Sequence, residues 1–168
     1  MANIKIIAEF FLLSIAWTLT LFSPIASSKL TGNGLIKLLS NVSIGALVIT
    51  LVISFASGES ILSLPLYLKL MALVALVATS LFHEDHKTFL MWAMYTAVVI
   101  SLGVHIVLFS PIFLSALFLA SSTLLLGVIT YAMILGHWYL VVPKLSEHPL
   151  KRAALITWII LGLKLFSV

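Results

Sequence analysis

The sequence contains no cysteine and very little charge. The absence of cysteine excludes disulfides, thiolate metal sites, iron–sulfur clusters, Cys-attached haem and Cys nucleophiles. Charged residues make up 8% of the 168 residues and hydrophobic residues 62%, whereas a soluble domain carries about 25% charged residues. A soluble protein of this size cannot keep so many apolar side chains away from water. The composition therefore excludes a secreted domain, a cytosolic enzyme and a nucleic-acid-binding protein, and it indicates that the solvent is the lipid bilayer.

Six apolar segments are long enough to cross a bilayer, whose core of about 30 Å needs about 20 helical residues. They cover residues 4–26, 35–55, 61–82, 88–109, 112–142 and 150–168. Helices satisfy the backbone hydrogen bonds within lipid. The sequence therefore predicts an all-α fold, a single polytopic integral membrane bundle of about six transmembrane helices without a soluble domain. The first segment is interpreted as an uncleaved span, and the fifth is long enough to require tilting.

The distribution of basic residues predicts an orientation. The chain has nine Lys and Arg residues against five Asp and Glu. Most of the basic residues lie in the segments 27–37, 83–87 and 143–152. Because cytoplasmic loops carry the excess of Lys and Arg, these segments are predicted to be cytoplasmic and the N-terminus to be outside. The predicted location is the cell (inner) membrane, with multiple passes.

Three ionisable residues inside the apolar segments predict an ion or proton site, because such residues are costly in lipid and mark function. Glu9 lies near the outer end of the first helix, and Lys69 lies about two turns into the third. His105 lies about one turn from the outer end of the fourth helix, at a comparable depth. In the alternative interpretation, Lys69 extends outward to the membrane surface and Glu9 sits among the lipid headgroups.

Two histidines, His105 and His137, are candidates for contact with haem b, a chlorin or a quinone, and Trp138 and Tyr139 beside His137 are predicted to contribute to the same cofactor contact. His137 stands in the sequence Gly136-His137-Trp138-Tyr139, where the glycine would leave room for a flat macrocycle and the imidazole could ligate iron. In the alternative, Trp138 and Tyr139 belong to the interfacial aromatic belt. His105 ends a stripe of small residues, which favours packing against another helix. The two histidines lie at opposite depths, so they cannot hold the same iron.

A polar loop predicted on the cytoplasmic side has the spacing of a metal site. His83 and His86 are three residues apart and would share one helix face. Together with His148 in the next cytoplasmic loop they form a set that zinc or another first-row metal could use. The alternative is an ordinary solvated loop.

No phosphate-binding loop, HExxH or GxSxG motif is present, which excludes the usual hydrolase, kinase and ATPase chemistry. The leading hypothesis is a small subunit of a larger membrane complex, a respiratory or other electron-transfer assembly, that contacts lipid and other membrane subunits and is not an enzyme on its own. It would contact haem or quinone through His105 or His137. One alternative is a proton-coupled transporter or channel that uses Glu9, Lys69 and His105. A second is a metal-dependent membrane enzyme that uses the cytoplasmic His/Asp/Glu loop on a lipid-like substrate.

Overall fold

A computed structural model describes residues 2–25, 31, 33–58, 60, 63–82, 88–109, 113–142 and 145–166 of the chain. Within these ranges the chain forms six long α-helices and no strand, which confirms the predicted helical fold class. The helices are α1 (Ala2–Phe22), α2 (Asn33–Ala56), α3 (Leu64–Phe82), α4 (Thr88–Leu108), α5 (Phe113–Val141) and α6 (His148–Phe166).

Four of these helices, α1, α2, α3 and α5, are long and apolar enough to cross a membrane. In α4 the apolar stretch Trp92–Leu108 is shorter. The last helix, α6, contains three cations, Lys151, Arg152 and Lys164. The chain is thus a helical membrane bundle in which length and composition identify four spans among the described residues, whereas the sequence alone predicted six.

The helix ends differ from the predicted ones for local reasons. Helix α3 begins three residues later than predicted because the hydroxyl of Ser63 caps it, accepting a hydrogen bond from the backbone of Leu66 at 3.3 Å. Pro65 fits this first turn, where its missing N–H leaves no bond unmade. Helix α1 ends before Pro24 in a short 3₁₀ turn. Gly58 follows the end of α2 with a positive φ of 73°, the conformation in which glycine terminates helices.

Helices α1 to α4 form a closed ring. α1 packs against α2 and α4, and α3 packs against the same two helices from the other side. All four contribute to one buried apolar core, made of Leu13, Ala16, Ala46, Leu47, Ala72, Leu76, Val98 and Leu102. Helices α5 and α6 form a pair outside the ring, in which α5 packs mainly on α1 and α6 packs on α5.

The contact between α1 and α5 depends on one glycine. A Cβ atom at Gly127 would overlap the side chain of Thr18, so only glycine permits this approach of the two helices. Nearby, the hydroxyls of Ser14 and Thr123 are 3.2 Å apart and buried. Helix α1 therefore presents one face to the interior of the ring and the opposite face to α5.

Candidate functional site

Each helix of the ring contributes one polar side chain to a cluster near the end of the bundle where α1 begins. We call this set the outer cluster: Glu9, Ser54, Lys69 and His105. The Nζ of Lys69 donates to Oε1 of Glu9 and, at 2.6 Å, to Oγ of Ser54. Ser54 Oγ is 3.4 Å from the same carboxylate oxygen, and Nε2 of His105 is 3.9 Å from it. The structure thus brings together the three residues singled out as an ion or proton site.

Lys69 lies inside the ring and does not extend to the membrane surface. Its side chain is 1% exposed and that of Glu9 is 16% exposed. An unpaired ammonium buried in an apolar environment is expensive, and the neighbouring carboxylate offsets that cost. Glu9 therefore separates Lys69 from the solvent side and is the member of the pair that solvent can reach.

Helical periodicity places these side chains toward the interior. Lys69, Ala72, Leu76 and Thr79 are three or four residues apart and are all buried, as expected for one face of α3. On α4 the stripe of small residues that ends at His105 consists of Ala93, Ala97 and Ser101. It faces inward only in part, since Ala93 is exposed.

His105 is buried against the ring of Phe109 and has no hydrogen-bond partner among the described residues. It is 3% exposed, and neither Nδ1 nor Nε2 has a partner among the described residues. Its ring packs edge to face on that of Phe109, with 5.3 Å between the ring centroids. The rings of Phe109 and Phe10 pack in the same way, with 5.6 Å between centroids. Buried polar atoms without a partner cost free energy, and in native proteins they often mark a functional position.

An open cavity of about 590 Å³ lies over the outer cluster. Glu9, Ser54 and His105 contribute to its wall, together with Lys5 at the start of α1 and the ring of Phe109. Among the lining residues that the structure describes, Glu9 is the single acid. The cavity thus leads from the end of the bundle to a carboxylate behind which the ammonium of Lys69 is buried.

The register of α1 against α4 is set by Trp17. Its indole Nε1 donates to the backbone carbonyl of Val99 at 3.0 Å. The ring lies against Gly103, where a Cβ atom would stand 3.4 Å from Nε1. This contact holds the two helices at the depth that places Glu9 beside His105.

Apart from His105, the residues predicted to contact a cofactor lie away from the outer cluster. His137 is exposed on α5, toward the opposite end of the bundle from the outer cluster. Trp138 Nε1 donates to the backbone carbonyl of Thr31 at 3.1 Å, and the Tyr139 hydroxyl donates to the carbonyl of Ser146. Both aromatic side chains therefore attach neighbouring segments to α5. Contact of this region with haem or quinone stays a prediction.

Two of the three predicted metal ligands, His83 and His86, lie outside the described residues. His148 is exposed at the start of α6. Within the described ranges, no group of three His, Cys, Asp or Glu residues is placed to hold a metal ion. The metal set stays a prediction.

Sequence reasoning missed Ser54 as a member of the outer cluster, and it missed the surroundings of Lys164. The Nζ of Lys164 donates to Ser122 Oγ at 2.6 Å and to Ser121 Oγ at 3.3 Å, and it lies 3.3 Å from the centre of the Phe118 ring. The signals were present: Ser54 and Thr50 are four residues apart on α2, and two adjacent serines stand at the matching depth of α5.

No protein-family model matches the chain, and neither the curated proteins nor the solved structures contain a significant match. The functional argument therefore depends on the geometry and charge of the outer cluster and its cavity.

Proposed function

We propose that this protein is a small proton-coupled membrane transporter whose outer cluster binds a small anion. The observation that carries the proposal is the convergence of four helices on a buried Glu9–Lys69 pair beneath an open cavity. Buried ionisable groups at the interior of a helical bundle are typical of proton relays and ion pathways. A purely structural core would be cheaper to build from apolar side chains.

The charges favour an anion accompanied by a proton. In the ion pair, the negative charge of Glu9 balances the positive charge of Lys69. When Glu9 takes up a proton, the ammonium of Lys69 needs a new counter-charge, which a small anion from the cavity supplies. The sum of charge in the buried site is unchanged, so the exchange avoids the high cost of a net buried charge. Lys5 at the wall of the cavity attracts anions toward it.

The apolar core beneath the outer cluster explains why a transporter is favoured over an open channel. Leu13, Leu47, Leu76 and Leu102 come from the four helices of the ring and are at most 1% exposed, so the ring is closed below the cavity. The site also differs from transporter sites that use the ends of interrupted helices. Its polar groups are side chains on continuous helices.

Flux measurements test this proposal. The purified protein is reconstituted in vesicles that contain a pH-sensitive dye, and nitrate, inorganic phosphate or lactate is added outside. We expect entry of at least one of these anions to acidify the interior. Lys69→Gln removes the ammonium that binds the anion and should lower the flux at least tenfold. Glu9→Gln removes the proton carrier, so the anion should enter without acidification.

Lys164→Gln is the matched control, because it also removes a lysine in contact with helix hydroxyls, but outside the ring. It should leave flux and acidification at the level of the unchanged protein. The melting temperature and elution profile of each variant establish that it is folded. Equal, proton-coupled flux in all three variants would overturn the proposal.

Membership of a larger electron-transfer complex, with haem or quinone near His105 or His137, remains a separate expectation. Oxidised and reduced absorption spectra and the native mass of the purified chain test it. Haem bands that disappear on His137→Ala would support it, whereas a colourless protein without partners would contradict it.

A further inference from the structure

A second group of buried polar side chains lies deeper in the bundle, toward the end opposite to the cavity. We call it the inner cluster: Ser23, Ser40, Ser43 and Tyr95. None of the four is more than 8% exposed. The hydroxyl of Tyr95 on α4 lies within hydrogen-bonding reach of the side chains of Ser23 and Ser40. Ser43 follows Ser40 by three residues and lies on the same face of α2.

The inner cluster lies along the same helix faces as the outer cluster. Both α2 and α4 carry two buried polar residues toward the cavity, then an apolar residue, then a further polar residue. The order is Ser54, Thr50, Leu47, Ser43 on α2 and His105, Ser101, Val98, Tyr95 on α4. At 1.5 Å per residue, the two polar levels are about 15 Å apart on each helix. The agreement between these antiparallel helices places the two clusters at two defined depths.

A layer of apolar side chains separates the clusters. Leu47 and Val98 lie between the polar levels of their own helices, and Ala16 and Leu76 lie at the corresponding depth of α1 and α3. All four are at most 1% exposed and belong to the same core. A change in helix packing can open such a layer.

Ser43 supplies an independent observation. Its hydroxyl is buried and has no hydrogen-bond partner among the described residues. The buried threonine hydroxyls of the ring donate instead to carbonyls of their own helices, as Thr50 does to Ala46 at 2.8 Å. Each cluster therefore contains one buried polar group without a described partner, His105 at the outer level and Ser43 at the inner level. Such groups are rare in native proteins and call for an explanation.

We propose that the inner cluster is a second binding station for the transported anion, reached from the opposite end of the bundle. Its hydroxyls donate hydrogen bonds to the anion after the apolar layer has opened. The Glu9 carboxyl then gives its proton to water that enters through the opened layer, and the carboxylate pairs again with Lys69. This inference rests on the proposed transport function and adds a second site and a barrier to it. It requires Ser43 to be accessible to water from the end of the bundle that carries Glu147, at least transiently.

The absence of cysteine allows a direct test with single-cysteine variants in vesicles and a membrane-impermeant thiol reagent. Ser57→Cys and Glu147→Cys, both at exposed positions, mark the two ends. Ser43→Cys is the test variant. Thr130→Cys is its control, because Thr130 lies at a similar depth on α5 outside the ring and its hydroxyl bonds to the carbonyl of Leu126.

We expect Ser43→Cys to react from the end marked by Glu147→Cys at least ten times faster than Thr130→Cys, and we expect saturating nitrate to slow the reaction. Ser40→Cys should behave in the same way and serves if Ser43→Cys does not fold. Reaction from the end marked by Ser57→Cys alone would overturn the inference, since Ser43 would then belong to the outer cavity. No reaction from either end, while the protein still transports, would overturn the inner station and leave the proposed function standing.

Discussion

Two lysines lie in the apolar helices at the same end of this molecule, and they are held in different ways. Lys69 lies inside the ring, is 1% exposed and is paired with Glu9. Lys164 lies between α5 and α6, is partly exposed, and its described contacts include two hydroxyls, a backbone carbonyl and an aromatic ring. A lysine near the surface of the bundle can be solvated by dipoles, whereas a fully buried one requires an opposite charge. The comparison separates a lysine held by dipoles at the edge of the bundle from one that requires a counter-charge inside it.

The largest loss of folding stability is expected when the buried Glu9–Lys69 pair is broken. Glu9→Leu leaves the ammonium of Lys69 without its counter-charge and should lower the free energy of unfolding by about 3–5 kcal/mol. Glu9→Leu combined with Lys69→Met should recover most of this loss, because it removes both charges. Denaturant titration of the purified protein in detergent measures each value.

The reference for that comparison is Lys164→Met, which should cost only about 1 kcal/mol through the lost cation–π contact. Ser121 and Ser122 keep their hydrogen bonds to the carbonyl of Phe118, so no buried hydroxyl is left unpaired. A loss as large as that of Glu9→Leu would mean that the two lysines do not differ as the structure indicates.

The junction between the ring and the α5–α6 pair comes next. Gly127→Ala forces a methyl group into the side chain of Thr18 and should lower the stability by about 1–3 kcal/mol through overpacking. Gly136→Ala, in the same helix, meets no atom within 4 Å and should be neutral or raise the stability by up to about 1 kcal/mol through helix propensity. Melting temperatures in detergent rank the two variants, and equal values would show that α5 does not approach α1 this closely.

A smaller loss of folding stability is expected at the end of α5 that contacts Thr31. Trp138→Phe removes the hydrogen bond to the Thr31 carbonyl and should cost about 0.5–1.5 kcal/mol. The indole also lies against Gly34, where a Cβ would stand 2.7 Å from the ring. Denaturant titration gives the loss, and anion flux should be unchanged because this contact is remote from the outer cluster. A variant that loses transport while it remains folded would show that Trp138 also contributes to transport.

The smallest effect is expected at an exposed ion pair before α6. The Nζ of Lys151 lies 2.7 Å from Oε2 of Glu147. The hydrogen bond and the positive charge of this lysine lower the pKa of the Glu147 carboxyl below its usual value of 4.5. Because the folded-state pKa is lowered, the pair contributes stability above pH 4.5 that is lost as the pH falls through the folded value. Carbon NMR titration should show the lowered pKa, and Lys151→Met should return it toward 4.5. An unchanged pKa in that variant would assign the shift to other groups.

Three of the four residues of the outer cluster could be predicted from the sequence, and one could not. Glu9, Lys69 and His105 stand out because charged groups are rare in lipid-embedded helices, and their depths follow from counting residues along each helix. Ser54 did not stand out, because serine is common in membrane helices and its four-residue spacing from Thr50 is also typical of ordinary helix packing. The late start of α3 was also missed, because the run of apolar residues does not show that Ser63 caps the helix.

The sequence by itself determined the solvent, the helical class and the approximate ends of the helices. The reason is that transfer into lipid depends on the apolar content and length of each segment, and both can be counted along the chain. Only the tertiary structure decided which helices are neighbours. That order closes α1 to α4 into a ring, puts Lys69 against Glu9 rather than into the headgroups, and leaves Lys164 outside with its hydroxyls. The physical reason is that a buried charge is stable only beside a counter-charge. Only the packing of the helices brings the two charges together.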